Sequence, residues 1–338
     1  MYDLKEDWAN LPSRLTAQAI RGSADMEALP LPEVQPPWDI PDTLVLTAAV
    51  SGRIARDLDR DVVRHYGLDF DSYVQAAIGA IEAGACGIHL DFHGIADIMQ
   101  SGLSVPEIYE KVYRDIDAGT SKDWVRDANV LGGDSFAENM FPVTSGIAET
   151  APSAPNFPVD WMESAAKVID DHDVRMHFAI HSTAEVDLAE RLILSKGILT
   201  HRPYWSILIG YPYDDRTTRL ATYLKHPRAM MQELIQIVER IKELDPDAFI
   251  QVCAAGRASH YLSTTAMLLG LHVRVGTEDT AFKFPHKDDL ITDSVETVVS
   301  ARQTAELLGR RLATADEFRA MIGLTARRPV PAATANKE

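Results

Sequence analysis

The 338 residues carry 50 acidic against 33 basic side chains, a net charge of −17, with 46% hydrophobic and 25% charged residues. Such a chain has the apolar material for a closed core, but lacks the basic footprint that nucleic acid or an anionic membrane surface requires. Its two cysteines, Cys86 and Cys253, exclude a disulfide framework or a cysteine-rich zinc motif and suit a reducing cytoplasm.

In chain order, the opening run MYDLKEDWANL is acidic and has no apolar segment, which predicts no secretory signal. No run of about 18 apolar residues suggests a bilayer span. Residues 1–42 read as an N-terminal extension: a short helix over Leu11 to Ile20, then ALPLPEVQPPWDIPD (28–42), whose five prolines forbid a regular helix and predict an extended arm.

Strands and helices then alternate. LVLTAAV (44–50) is a buried strand ending at Ser51-Gly52, and a helix over 70–83 carries Tyr73, Val74, Ala77, Ile78 and Ile81 at helical spacing. GIHLDF (87–92) is the second strand, followed by a helix over 105–117. VRDANVLGG (125–133) is the third, and a weak fourth lies near Ile147 to Ala151. A helix over 158–170 leads into VRMHFAI (174–180), and a helix over 183–196 ends at Gly197, a stop signal. WSILIG (205–210) precedes a helix over 227–244, opened by Pro227 and predicted to bury Met231, Leu234, Ile235, Val238 and Ile241. AFIQVCAAG (248–256) and LHVRVG (271–276) are the seventh and eighth strands. A helix over 294–308 follows, and a capping box at Thr314 and Glu317 starts a last short helix.

This alternation predicts an α/β fold, a (β/α)8 TIM barrel over residues 43–325, with the N-terminal proline-rich extension before it and a tail, 326–338, after it. A doubly wound sheet would alternate in the same way, but no Gly-x-Gly-x-x-Gly follows the first strand, so a dinucleotide fold loses its main support.

Barrel sites form at the C-terminal strand ends, and the polar residues cluster there. His89 and Asp91 share one parity on strand 2, and His93 keeps it if the strand continues. On strand 8, Arg274, Gly276 and Glu278 share a parity and Asp279 follows. Because strands 1, 2 and 8 are neighbours in a closed barrel, His89, Asp91 and Glu278 can meet around one cation. The alternative is a hydrogen-bonded core histidine and an internal ion pair.

At these residues the chain resembles the β-keto acid cleavage enzymes. LHVRVGTEDTAF (271–282) is similar to their strand 8 signature. LVLTAAVSG (44–52), EAGACGIHLD (82–91), VDLAERLILSKGILTHRPYWSILIGYP (186–212) and RQTAELLGRRLATADEFRAMIGL (302–324) resemble further segments. The resemblance implies a TIM barrel and a divalent ion, Zn2+ in type, held by two histidines and a glutamate. It also implies acetyl-CoA as co-substrate for a β-keto acid, acetoacetate and an acyl-CoA as products, and a homo-oligomer, tetramer or dimer. Carried over, His89 and Glu278 match metal ligands, and Arg274 and Asp279 match the functional arginine and aspartate. Asp279 would be the general base, and Arg274 would stabilise developing negative charge.

The chain departs from the family pattern at several positions, as a divergent member would. Asp91 stands where the second metal histidine belongs. Ile54 replaces a substrate-binding glutamate, and Val130 replaces a strand 3 serine although Gly132 and Gly133 are kept. Glu149 and Ala151 replace a threonine and an asparagine of strand 4, and His177 replaces a strand 5 glutamate. One histidine with two carboxylates makes a harder site, open to Mn2+, Fe2+ or Mg2+ as well as Zn2+. His93 and His181 are candidates for a compensating imidazole. Glu149, Val130, Gly132 and Gly133 are expected around the substrate. Arg257, after strand 7, is a candidate contact for CoA or phosphate, with a rim salt bridge as its alternative. Two further readings stay open: an aldol-type lyase or hydrolase of the same fold that does not use CoA, and a non-catalytic metal- or ligand-binding homologue.

Overall fold

The computed structural model describes residues 37–52, 67–210 and 226–324. The predicted helix at Leu11 to Ile20, most of the proline-rich arm, Ile54 and the tail 326–338 lie outside them. The chain divides into two compact units, residues 1–40 and 41–338, and the second holds every regular element described.

Eight parallel strands close into a barrel in sequence order. They are β1 (Leu46–Ala49), β2 (Gly87–Leu90), β3 (Val125–Ala128), β4 (Thr150–Ser153), β5 (Arg175–Ile180), β6 (Tyr204–Ile209), β7 (Ile250–Ala254) and β8 (His272–Val275). β8 returns to β1, pairing Arg274 with Thr47, and β1 pairs Ala49 with His89 of β2. The strands are short and almost wholly buried, as expected where one face meets helices and the other a packed interior.

Among the described residues the α-helices longer than one turn are α1 (Phe70–Ala83), α2 (Val105–Gly119), α3 (Val159–Asp171), α4 (Thr183–Leu192), α5 (Pro227–Leu244), α6 (Ser259–Leu268), α7 (Ser294–Leu307) and α8 (Ala315–Met321). Local chemistry sets their starts. Asp69 with Ser72, Ser104 with Glu107, and Thr314 with Glu317 form reciprocal capping boxes. The helix predicted to reach 196 ends at Leu192, and a single 3-10 turn, Leu194–Lys196, carries the chain to a left-handed Gly197.

Three expectations shift. β3 stops at Ala128 rather than at the glycines, because Asn129 caps the turn by accepting from the Val130 N–H. Two single-turn helices, Phe136–Asn139 and Phe141–Thr144, follow it. β4 begins at Thr150, three residues later than predicted. On α5 the buried stripe is Met230, Leu234, Ile237, Val238 and Ile241. Ile235 is exposed, because the face centres on Leu234 and Ile241 and leaves its flanks in water.

The two ends of the barrel differ. At the N-terminal end, Phe318, Ile322 and Leu324 pack with Ala313 and Ala315 under Val45, Cys86, Val125 and Tyr204. These four stand at or just before the starts of their strands, so α8 plugs the floor. Burial of a side chain such as Phe318 contributes about 1.5–3 kcal/mol. At the other end lie His89, Asp91, Glu278 and Asp279. No helix among the described residues is long and apolar enough to cross a membrane.

Candidate metal centre

His89 faces inward from β2, and Asp91 continues the same parity one residue past the strand end. A phenol pins this segment: Tyr73 of α1 donates to the His89 carbonyl at 3.2 Å and accepts the Asp91 N–H at 3.1 Å. Asp91 also accepts the His93 backbone N–H at 2.8 Å. Burial, followed by the carboxylates of Glu278 and Asp91, raises the Tyr73 pKa well above its ordinary value, so the group works as a neutral phenol.

Glu278 must cross an intervening stave, because β1 separates β8 from β2. Gly276 makes the crossing. Its φ is +142°, and a Cβ there would stand 2.0 Å from the Ala49 carbonyl oxygen, so only glycine admits this approach. Beyond it, the Glu278 N–H reaches Ala49 O at 3.2 Å and the Thr277 hydroxyl donates to Val50 O at 3.1 Å. The chain after β8 therefore lies across the end of β1, in contact with its backbone.

The result is a buried cluster. One ligand atom each from His89, Asp91 and Glu278 lies within 4.8 Å of the others, and His89 Nε2 is 3.8 Å from Glu278 Oε1. Two carboxylates and one imidazole at this spacing, all buried, fit a divalent cation by charge and by donor type. Burial opposes an imidazolium at His89, but Glu278 and Asp127 outweigh it and raise its pKa.

Arg274 stands below the cluster. Its Nε and Nη2 reach Asp279 Oδ2 and Oδ1 at 3.2 and 2.7 Å, a side-on pair, and Nη2 also reaches Glu278 Oε1 at 3.4 Å. Cys253 of β7 accepts from Nε at 3.1 Å. One guanidinium thus orients both acids of the strand 8 turn.

The other sequence candidates fall elsewhere. The His93 side chain is exposed and outside the cluster. His181 is turned to Glu185, whose Oε2 lies 3.1 Å from its Nδ1 and accepts its backbone N–H at 2.6 Å. Val130 is in the core at 1% exposure. Gly132, at φ +100°, lies beside the Cβ of His93, and the Gly133 N–H donates to Asn139 Oδ1 at 2.8 Å. Arg257 stacks on Phe282 at 4.1 Å, pairs with Asp288 and donates to the Lys287 carbonyl at 2.6 Å.

Glu149 is turned away from the mouth. Its Oε1 accepts from Arg319 Nε at 2.7 Å. Its Oε2 accepts the Arg126 N–H at 3.1 Å and lies 3.5 Å from Arg126 Nη2. It precedes β4 on the floor side, beside α8. Strand parity explains this: the next residue, Thr150, faces the interior and donates to Asp127 Oδ1 at 2.8 Å.

Asp127 of β3 is the residue that the sequence reading missed. It bonds His89 Nδ1 at 2.7 Å through Oδ2 and His177 Nε2 at 3.1 Å through Oδ1. Burial would raise its pKa, but His177 and His89 reverse that and hold it far below the usual carboxylate range. The available signal was a lone acid at inward parity on a strand otherwise apolar toward the barrel.

An eight-stranded parallel barrel with an imidazole, two acids and an arginine–aspartate pair at the C-terminal ends of β2 and β8 has the architecture of a TIM-barrel enzyme, with a donor set that could hold a divalent metal. Residues 43–324 match the model of the beta-keto acid cleavage enzymes, and the chain belongs to that family. Among solved structures it is similar to ObcA in ternary complex with a C4-CoA adduct and oxalate: TM-score 0.61 and 17% identity, over 77% of this chain and 68% of that one. The complex of ObcA with oxaloacetate gives 0.60 and 16%, over 78% and 68%. A type I 3-dehydroquinate dehydratase from Clostridium difficile gives 0.50 and 10%, over 79% and 92%. At these identities the likeness is one of fold.

Proposed function

We propose that the chain is a divalent-metal-dependent enzyme that cleaves the C2–C3 bond of a 3-oxo carboxylate by retro-Claisen acyl transfer with acetyl-CoA. The 3-acyl group moves to the CoA sulfur as the acetyl group moves to the released acetate carbon, giving an acyl-CoA and acetoacetate. One C–C and one C–S bond break, and one of each forms. The observation that carries this reading is the convergence of His89, Asp91 and Glu278 beside the Arg274–Asp279 pair, in a member of the family. The neighbour's complexes with oxaloacetate and with a C4-CoA adduct support a keto acid and a CoA thioester as partners.

In this reading His89 Nε2 and the carboxylates of Asp91 and Glu278 hold the ion, which supplies Lewis-acid polarisation of the keto carbonyl. Two carboxylates neutralise a divalent charge more fully than one, which makes the site a hard one. Zn2+ is our first choice, with Mn2+, Fe2+ and Mg2+ as alternatives. Arg274 offers its guanidinium to oxyanion charge as it develops. Asp279, fully buried and held side-on by Arg274, is the general base: it takes a proton from C2 of the 3-oxo carboxylate as that carbon attacks the acetyl group, and returns it to the same carbon of the acetoacetate that leaves. The barrel, 43–325, is the catalytic domain. Two buried cysteines, neither in a disulfide, fit a cytoplasmic setting, and the working form is a homo-oligomer.

The test is mass spectrometry for acetoacetate after metal-loaded protein is incubated with acetyl-CoA and a panel of β-keto acids. Acetoacetate and a matched acyl-CoA are expected. Absence of both across the panel counts against the reading. A second reading, a lyase or hydrolase of the same fold that does not use CoA, draws on Arg257, whose guanidinium is engaged with Phe282, Lys287 and Asp288. Turnover without acetyl-CoA would select it.

A further inference from the structure

We propose that Asp127 is a positioning residue for the metal centre, a single carboxylate that sets the tautomer and the ring plane of His89. The inference rests on the reading of His89, Asp91 and Glu278 as ligands. A neutral imidazole has one N–H and one lone pair. With Asp127 Oδ2 at 2.7 Å from Nδ1, the proton belongs on Nδ1, and the lone pair of Nε2 is turned toward Glu278 Oε1, 3.8 Å away. The other tautomer would set a lone pair against the carboxylate and an N–H toward the ion. A carboxylate on the far nitrogen of a ligating histidine also raises the basicity of the near one.

Asp127 is itself over-determined. Its Oδ1 receives the Thr150 hydroxyl at 2.8 Å and faces His177 Nε2 at 3.1 Å. The His177 ring is in turn stacked on Tyr204, with centroids 4.8 Å apart. One acid therefore joins β2, β3, β4 and β5, and the carboxylate cannot turn Oδ2 away from His89 without breaking the bonds of Oδ1 to Thr150 and His177. The arrangement compensates for a ligand set with a single imidazole: with only one histidine, its orientation must be fixed by something other than a second ring.

The test measures affinity and tautomer, not turnover. Zn2+ affinity is read by competition with a fluorescent chelator for the full chain and for Asp127→Asn. The variant should bind one ion 10- to 100-fold more weakly with its thermal unfolding otherwise that of a folded barrel. A folded Asp127→Asn that binds as tightly as the parent overturns the proposal. Nitrogen NMR of the metal-free parent, at a pH where the ring is neutral, reads the tautomer directly and does not depend on the variant's folding. His89 should carry its proton on Nδ1, and a proton on Nε2 overturns the proposal equally. A parent that binds no metal but shows the Nδ1–H form refutes the metal reading and leaves the Asp127 contact standing.

Discussion

Replacing Glu149 separates a structural role from a substrate-binding one. The side chain is fully buried, with Arg319 on one oxygen and the Arg126 N–H, Arg126 Nη2 and Arg319 Nη2 around the other. In Glu149→Gln one oxygen becomes an amide that donates, so a donor faces a donor whichever way the group is flipped. Arg126 also loses the carboxylate that faces it. Arg319 keeps Asp123 and Asp316, which limits the damage on that side. Removing one partner of a buried pair costs about 3–5 kcal/mol, a large share of the roughly 5–15 kcal/mol that holds a typical domain. At about 2–4 °C per kcal/mol for domains of this order of size, the midpoint should fall by roughly 10 °C. The assays are thermal and urea unfolding, with metal affinity and KM measured well below the midpoint. Metal affinity and KM should hold while stability drops. An unchanged midpoint together with a raised KM would refute the ion-pair account and return Glu149 to the substrate pocket.

Four other outcomes follow from the same geometry. His272 accepts the Val45 N–H at 3.0 Å and stacks on Phe249; burial, then Arg310, lowers its pKa to about 3. Above an ordinary pKa of about 6.5 both states are neutral and the stability is complete, while between there and 3 the unfolded chain takes a proton that the fold refuses. Stability should therefore decline as pH falls through that window, by roughly 3–5 kcal/mol in total. His272→Asn should flatten that part of the acid-unfolding curve, and a variant curve parallel to the parent's contradicts it. Gly276→Ala forces a Cβ to 2.0 Å from Ala49 O, so it should weaken metal binding and folding together; a stable variant with normal affinity would show that the crossing is not needed. Arg274→Lys keeps the charge but loses the side-on geometry, and kcat should fall by about 10²–10³ with little change in bound metal. Glu278→Gln should abolish stoichiometric metal, measured by elemental analysis after dialysis.

The barrel was legible because its periodicities are strong. α8 carries its cap in the sequence, α1 shows its apolar positions at helical spacing, and the strands are apolar runs bounded by glycine or polar turns. The region from 129 to 149 was less so. Its short helices have too few residues to show a period, and Pro152 inside β4 argues against a strand by composition alone. His89, Asp91 and Glu278 were found by parity, a local property of strands. Asp127 was missed because its role is set by three partners at sequence separations of 38, 23 and 50, which only barrel closure brings together. Glu149 and Thr150 show the limit of parity across a weak strand: a one-residue error exchanges a floor ion pair for a group facing the site.

The central claim is that one imidazole and two acids, on two staves separated by a third, hold one ion. Anomalous diffraction from crystals soaked in Zn2+ or Mn2+ tests it directly. The account predicts a single peak about 2.0–2.2 Å from His89 Nε2 and from carboxylate oxygens of Asp91 and Glu278. A peak bonded to other side chains, or none at these three in metal-saturated crystals, contradicts it.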